Sequence, residues 1–183
     1  MTNYVYIATS LDGYIARPNG NINWLNNIPN PDKSDYGYSD FIKNIDAIVM
    51  GKNTYQKVLS FGKWPYNKPV FILSNTLKVI PENLMGRVKI IKGDLRKVNK
   101  DLSKQGFKNL YIDGGQTIHS FLKEDLINEM IITTIPILLG NGIPLFHRLD
   151  QQLKFKHKNT KIYNNNLVKS HYIRDRQFSY RIV

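Results

Sequence analysis

The chain has 183 residues, a formal net charge of +12, no cysteine, and ordinary shares of hydrophobic (42%) and charged (22%) residues. That length suits a single domain, 1–183, with a core of its own. The missing cysteines exclude a disulfide framework, a thiolate nucleophile and a cysteine-ligated zinc, and they fit a reducing compartment.

In chain order, MTNYVYIATSLDGYIA (1–16) lacks the basic and apolar parts of a secretion leader, so a cytoplasmic protein is expected. Within it YVYIATS (4–10) reads as a strand. NNIPNPDKSDYGY (26–38), rich in Pro and Asn, reads as a surface loop that runs into a short helix, YSDFIKNI (38–45). DAIVM (46–50) is a strand and NTYQKVLSF (53–61) a helix; PVFILS (69–74) and VKIIKG (88–93) are strands. LRKVNKDLSKQG (95–106) has helical spacing and stops on Gly106. NLYID (109–113) is a strand, QTIHSFLKED (116–125) a helix and EMIITTIPIL (129–138) a strand. The most apolar stretch, MIITTIPILLG (130–140), falls short of the ~20 residues of a spanning helix, so no membrane segment is expected. After Gly142 come two or three strands of alternating polarity, with the asparagines at 164–166 as a turn.

Strands separated by helices imply parallel crossovers covered on both faces. The fold class is therefore α/β: three layers, with a mixed, mostly parallel sheet of about eight strands between helices. Residues 151–183 carry +7 of the net charge, and their Lys and Arg alternate with Phe155, Ile162, Tyr163, Val168, Tyr172, Ile173, Phe178 and Tyr180. Such interleaving describes the solvent face of antiparallel strands. A basic module that binds nucleic acid is the competing reading from another class, and no nucleic-acid motif supports it. The four histidines, His119, His147, His157 and His171, have no metal-ligand spacing, so no metal is expected.

Two strand-to-helix turns share one chemistry. In IVMGKNTY (48–55), a buried strand meets Gly51, Lys52, Asn53 and Thr54 and becomes a helix. A helix starting there aims unpaired N–H groups at the carboxyl edge of the sheet, where an anion is favoured. Gly51 allows close backbone approach, Lys52 adds a full charge, and Thr54 either caps the helix or donates to a phosphate. The second turn, in LYIDGGQTIHSFL (110–122), places Gly114 and Gly115 after Asp113, with Thr117 in the first helical turn. A third strand end, ILSNT (72–76), offers Ser74, Asn75 and Thr76. Neither a Walker loop nor a G-x-G-x-x-G fingerprint is present. Three such ends on neighbouring strands are able to hold a dinucleotide, provided that the two glycine turns converge.

SLDGYIA…NGNINWL, IVMGKNTY, IDGGQTI and IPILLGNGIPLF occur in this order, and with them the chain resembles the dihydrofolate reductase-like superfamily. It is most similar to the branch shared with the reductase domain of bacterial riboflavin biosynthesis. The resemblance spans nearly the whole chain and implies an NADPH-dependent reductase with a small-molecule substrate. It places Gly51, Lys52, Asn53 and Thr54 at phosphate and adenosine, and Leu73, Ser74 and Asn75 by the adenosine 2′-phosphate. It sets Asp113 and the double glycine Gly114–Gly115, joined in the family by a cis peptide, against the cofactor, with Gln116, Thr117 and Ile118 along the pyrophosphate. Ala8, Ile15, Gly20 and Trp24 fall on the first strand and on a loop that closes over nicotinamide, with Trp24 as an apolar cover.

For catalysis the resemblance offers Asp12 as the acid near nicotinamide, with a turn-capping Asp as the plain alternative. Asp35 and Asp40 lie where folate reductases place a pterin-binding carboxylate, and Thr133 lies on the strand lining the substrate pocket. The implied acceptor is a pterin or dihydrofolate-like heterocycle; the alternative is the 5-amino-6-(5-phosphoribosylamino)uracil of riboflavin synthesis. Members of the branch are often homodimers, and NGIPLFHRL (141–149) carries apolar residues suited to such a contact.

Overall fold

A computed structural model describes residues 1–163 and 166–177. Eight strands form one sheet: β1 (Thr2–Ser10), β3 (Ala47–Gly51), β4 (Val70–Leu73), β5 (Val88–Ile91), β6 (Asn109–Asp113), β7 (Glu129–Ile135), β9 (Phe155–Ile162) and β10 (Val168–Arg174). Their order is β5-β4-β3-β6-β1-β7-β10-β9. The first six run parallel, and β10 joins β7 antiparallel, followed by β9. The helices are α1 (Tyr38–Lys43), α2 (Lys52–Leu59), α3 (Leu95–Lys104) and α4 (Gly115–Lys123).

The central strands are buried on both faces, which is why their sequences read as unbroken apolar runs. Along β3, Ala47 and Val49 enter one core with Val98, Leu102 and Phe121 of α3 and α4. Ile48 and Met50 enter the other, with Tyr55 of α2 and with Phe41 and Ile42 of α1 packed against it. The period of two along a strand thus divides one segment between two cores. This is the expected three-layer, mixed, mostly parallel architecture.

Two short strands went unforeseen. β2 (Tyr14–Ala16) and β8 (Ile143–Pro144) pair antiparallel as a separate ribbon. Gly142 makes the close approach possible: a Cβ there would collide with the Ala16 carbonyl and lie 3.0 Å from the Tyr14 ring. Trp24, expected as a loop cover, sits in a short 3-10 turn and is 3% exposed, packed with Ile135 and Leu167. β9 is exposed nearly throughout instead of alternating, because it is the sheet's edge and no helix among the described residues covers it. Of the asparagine turn, Asn166 adopts φ 64 and donates to the Tyr163 carbonyl; Asn164 and Asn165 lie outside the described residues, as do Phe178 and Tyr180.

The basic tail is largely engaged within the protein. Lys154 and Lys156 face the buried Asp175, Lys158 faces Glu129, and Arg174 and Arg176 meet Asp125. Lys169 donates to the Tyr36 carbonyl at 2.7 Å. Among the described residues, no helix is long and apolar enough to cross a membrane.

Candidate functional site

β3 and β6 are hydrogen-bonded neighbours, so the turns that follow them lie side by side at one edge of the sheet. They interlock. A Cβ on Gly51 would stand 2.9 Å from Thr117 Oγ1, and one on Gly114 would collide with Thr54 Oγ1. Gly114 also adopts φ 88, which a side chain disfavours. The Asn53 amide reaches Gln116 Oε1 at 3.4 Å across the junction. Neither α2 nor α4 has a side-chain cap, which leaves the backbone donors of both first turns unclaimed by their N-cap residues. Thr54 is therefore no cap: it is the third residue of α2, and its hydroxyl is packed against Gly114. The Gly114–Gly115 bond is trans, in contrast to the expected cis peptide, and no cis bond occurs among the described residues.

These turns open on a cavity of about 730 Å³. Its wall brings together Ala8, Ile15, Gly20, Gly51, Asn53, Thr54, Asp113, Gly114, Gly115, Gln116 and Thr117 of the expected cofactor residues. A Cβ on Gly115 would meet Ile15 Cδ1 at 2.6 Å, so the double glycine and the 15–25 loop are fitted to each other. Five expected residues lie off this wall. Lys52 turns to the β4 end, where its Nζ is 3.4 Å from Thr76 Oγ1. Ser74 Oγ there accepts from the Thr76 and Leu77 N–H groups, and Asn75 is exposed. Leu73 packs against the core, and Ile118 is 1% exposed within it.

The structure separates the candidate catalytic residues. Asp12 is a clasp: its carboxylate accepts from Ser10 Oγ (2.5 Å), Leu139 N (3.1 Å) and Gly140 N (2.8 Å). Those hydrogen bonds, the Ser10 hydroxyl first, hold its carboxyl below the ordinary range. Asp35 accepts from the Gly37 and Ser39 N–H groups at the start of α1 and is pulled down to about 2, chiefly by its hydrogen bonds with Ser39. Asp40 is an exposed partner of Lys43 at 3.0 Å. Thr133 is buried on β7, opposite Ala8 of β1. None of these residues or Trp24 lines the cavity.

The cavity's titratable wall is elsewhere. Burial raises the Asp113 carboxyl above its ordinary value, partly offset by the Tyr111 and Tyr66 phenols and the Gly114 N–H. Tyr66 donates to Asp113 Oδ2 at 3.3 Å. Tyr6, Tyr66 and Tyr111 complete an aromatic end. Nearby Tyr38 is pushed up to about 12, by burial first and then by Asp113. Sequence reasoning missed these tyrosines because β1, β6 and the 60–69 loop are brought together only by the sheet order.

The donor set fits a phosphate-bearing dinucleotide such as NADPH on two observations: glycine turns that lie on the cavity wall with their backbone uncovered by a side chain of their own, and two helix starts without a side-chain cap beside Lys52. Residues 4–169 match the family model described as the RibD C-terminal domain. The uncharacterized protein YwjB of Bacillus subtilis (strain 168) is 38% identical over 175 residues, 93% of this chain and 96% of that one. A Shewanella sp. PV-4 crystal structure, whose name only suggests a part in riboflavin biosynthesis, superposes with a TM-score of 0.93 at 48% identity. It covers 96% of this chain and 100% of that one. Dihydrofolate reductase from Enterococcus faecalis, complexed with NADP(H), shares the fold at 15% identity with a TM-score of 0.66, covering 95% of this chain and 96% of that one. Cavity, fold and family model together place the chain in the RibD C-terminal domain family, on the dihydrofolate reductase-like fold.

Proposed function

We propose that the protein is an NADPH-dependent oxidoreductase that reduces a small heterocycle of the pterin or dihydrofolate type. The observation that carries this reading is the convergence of Gly51, Thr54, Gly114, Gly115 and Gln116 on one cavity that also holds Asp113, a carboxyl with a raised pKa. Lys52 with Ser74 and Asn75 would take the adenosine phosphate, outside the cavity proper. The first turns of α2 and α4 would take the pyrophosphate through backbone N–H groups. Ala8, Ile15 and Gly20 would bound the nicotinamide. When bound, NADPH supplies the hydride.

The chain's own residues do three things. The 15–25 loop, rooted on the β2–β8 ribbon, excludes water from the cavity. The tyrosine end holds a flat ring. Asp113, whose carboxyl burial makes less acidic, would supply the proton that a ring nitrogen takes up when the adjacent carbon of a C=N bond is reduced. Family membership supports the second reading, 5-amino-6-(5-phosphoribosylamino)uracil as the acceptor. We place the protein in the cytoplasm and expect it to act as a homodimer.

Titration with NADPH tests the cofactor. Trp24 packs against Ala8 and Leu25 of the cavity wall, and Trp64 is edge-on to Tyr66 at 5.4 Å. Both indoles are reporters, and binding quenches their emission at micromolar NADPH. An unchanged spectrum at millimolar NADPH removes the reading. With the cofactor established, loss of NADPH absorbance with dihydrofolate or the ribosylaminopyrimidine phosphate separates the two acceptors.

A further inference from the structure

Tyr6 is a shared wall. It lines the cavity of the candidate site, and it also lines a second cavity of about 550 Å³ between α1 and the β9–β10 hairpin. Among the described residues, no other lines both. Phe41 of α1 and Lys158, Lys169 and His171 of the hairpin bound the second space. Tyr6 therefore separates the acceptor end from a space that the proposed reaction does not use.

A single oxygen fixes Tyr6. The Tyr36 carbonyl accepts from Tyr6 Oη (2.7 Å), Tyr163 Oη (2.6 Å) and Lys169 Nζ (2.7 Å). These donors come from β1, from the residue after β9 and from β10. A carbonyl oxygen has two lone pairs, so three short donors crowd it, and the charged one is the strongest. The backbone is shaped for this. Tyr36 adopts φ 55, uncommon for a bulky residue, and Gly37 adopts φ 85. A Cβ on Gly37 would stand 2.8 Å from Lys169 Nζ, so the missing side chain admits the ammonium. That ammonium lies 5.8 Å from the centre of the Tyr6 ring and 5.5 Å from that of Tyr163, within reach of cation–π attraction. The Tyr6 ring is also stacked on Phe41 at 4.6 Å. Burial first, and then Tyr163, Asp35 and Tyr38, raises the Tyr6 phenol above its ordinary value, so it stays a donor.

We infer that Lys169 is a positioning residue for the acceptor end: through the Tyr36 carbonyl it holds Tyr6 as a partition between the two cavities, and so limits how deeply an acceptor ring seats. This deepens the proposed function and rests on its acceptor end. Lys169 is not on the wall of the candidate site, so its effect reaches the acceptor through Tyr6. Without the ammonium, two neutral donors remain on the oxygen. The Tyr6 ring then gains freedom toward the second cavity, and the acceptor loses a fixed wall.

Two measurements test this. The first needs neither cofactor nor acceptor: fluorine NMR of the full chain labelled with fluorotyrosine, the Tyr6 signal being assigned by its loss in Tyr6→Phe. Lys169→Met shifts or broadens that signal. The second is steady-state kinetics with whichever of dihydrofolate and the ribosylaminopyrimidine phosphate the enzyme reduces. Lys169→Met raises the acceptor KM about tenfold and leaves kcat and NADPH affinity within about twofold. Tyr6→Phe keeps the ring and breaks the same link, so the double variant is no worse than the stronger single one. Circular dichroism checks folding. Tyr163→Phe removes a neutral donor from the same oxygen and is the milder variant should Lys169→Met unfold, with a KM rise of about threefold expected. A Tyr6 signal that stays unmoved, an unchanged acceptor KM, a loss in kcat alone, or additive losses in the double variant each overturns the inference. Failure to reduce either acceptor overturns the proposed function and this inference with it, and the fluorine spectrum separately decides whether Lys169 holds Tyr6.

Discussion

Asp113 carries two opposed demands. Burial makes its charged form costly, so the folded chain holds the carboxyl more weakly acidic than the unfolded chain does. The sign follows: its contribution to stability is complete below the ordinary carboxylate pKa and is lost as pH rises through the raised folded value. Asp113→Asn therefore raises the melting temperature at neutral pH while lowering kcat/KM by about 10²–10⁴-fold, the range for a lost general acid. In the wild type, kcat/KM falls as pH rises through the Asp113 titration; in the variant that alkaline limb disappears. A pH profile of NADPH oxidation, set beside thermal melts of both proteins, checks the two halves separately. A limb unchanged in the variant assigns the proton to another group. Residue by residue, the sequence announced the glycines well, since a positive φ or a close approach leaves few other choices. It gave no sign that Asp113 sits beneath a phenol from the 60–69 loop, because that contact is made across the fold.

At the scale of elements, the 10–16 segment is a hinge post. Leu11 N donates to the Ile137 carbonyl, Asp12 grips the Leu139 and Gly140 N–H groups, and Leu145 N donates to the Gly13 carbonyl. The post sets the root of the loop that covers the cavity. Asp12→Ala is expected to cut kcat/KM roughly tenfold by loosening that cover while leaving the alkaline limb in place. A limb that vanishes in this variant makes Asp12 the acid instead. Continuous apolar runs made β3, β4 and β6 plain, and the 3.6-residue period made α3 plain. The β2–β8 ribbon was illegible because strands of three and two residues are too short for any period to register.

At the scale of the molecule, the apolar surface is uneven. Leu11 is 61%, Leu138 68% and Phe146 51% exposed, and all three flank the 10–13 post and the strands that hold it. Of the apolar residues in the 141–149 segment, Leu145 instead enters the core and Ile143 and Pro144 pair with β2. Pairing of two chains through this face predicts a dimer mass in sedimentation equilibrium and a monomer for Phe146→Asp with Leu138→Asp. A wild type that sediments as a monomer at tens of micromolar removes the pairing.

The place of β1 in the sheet has a bearing on biosynthesis. It is made well before its neighbours β6 and β7, and the Asn3–Asn128 bond joins residues 125 positions apart. Until those later segments emerge, the backbone N–H and C=O groups on both edges of β1 stay unpaired. Nascent chains stalled before β7 should bind holdase chaperones, and release should coincide with the appearance of residues 129–135 outside the exit tunnel.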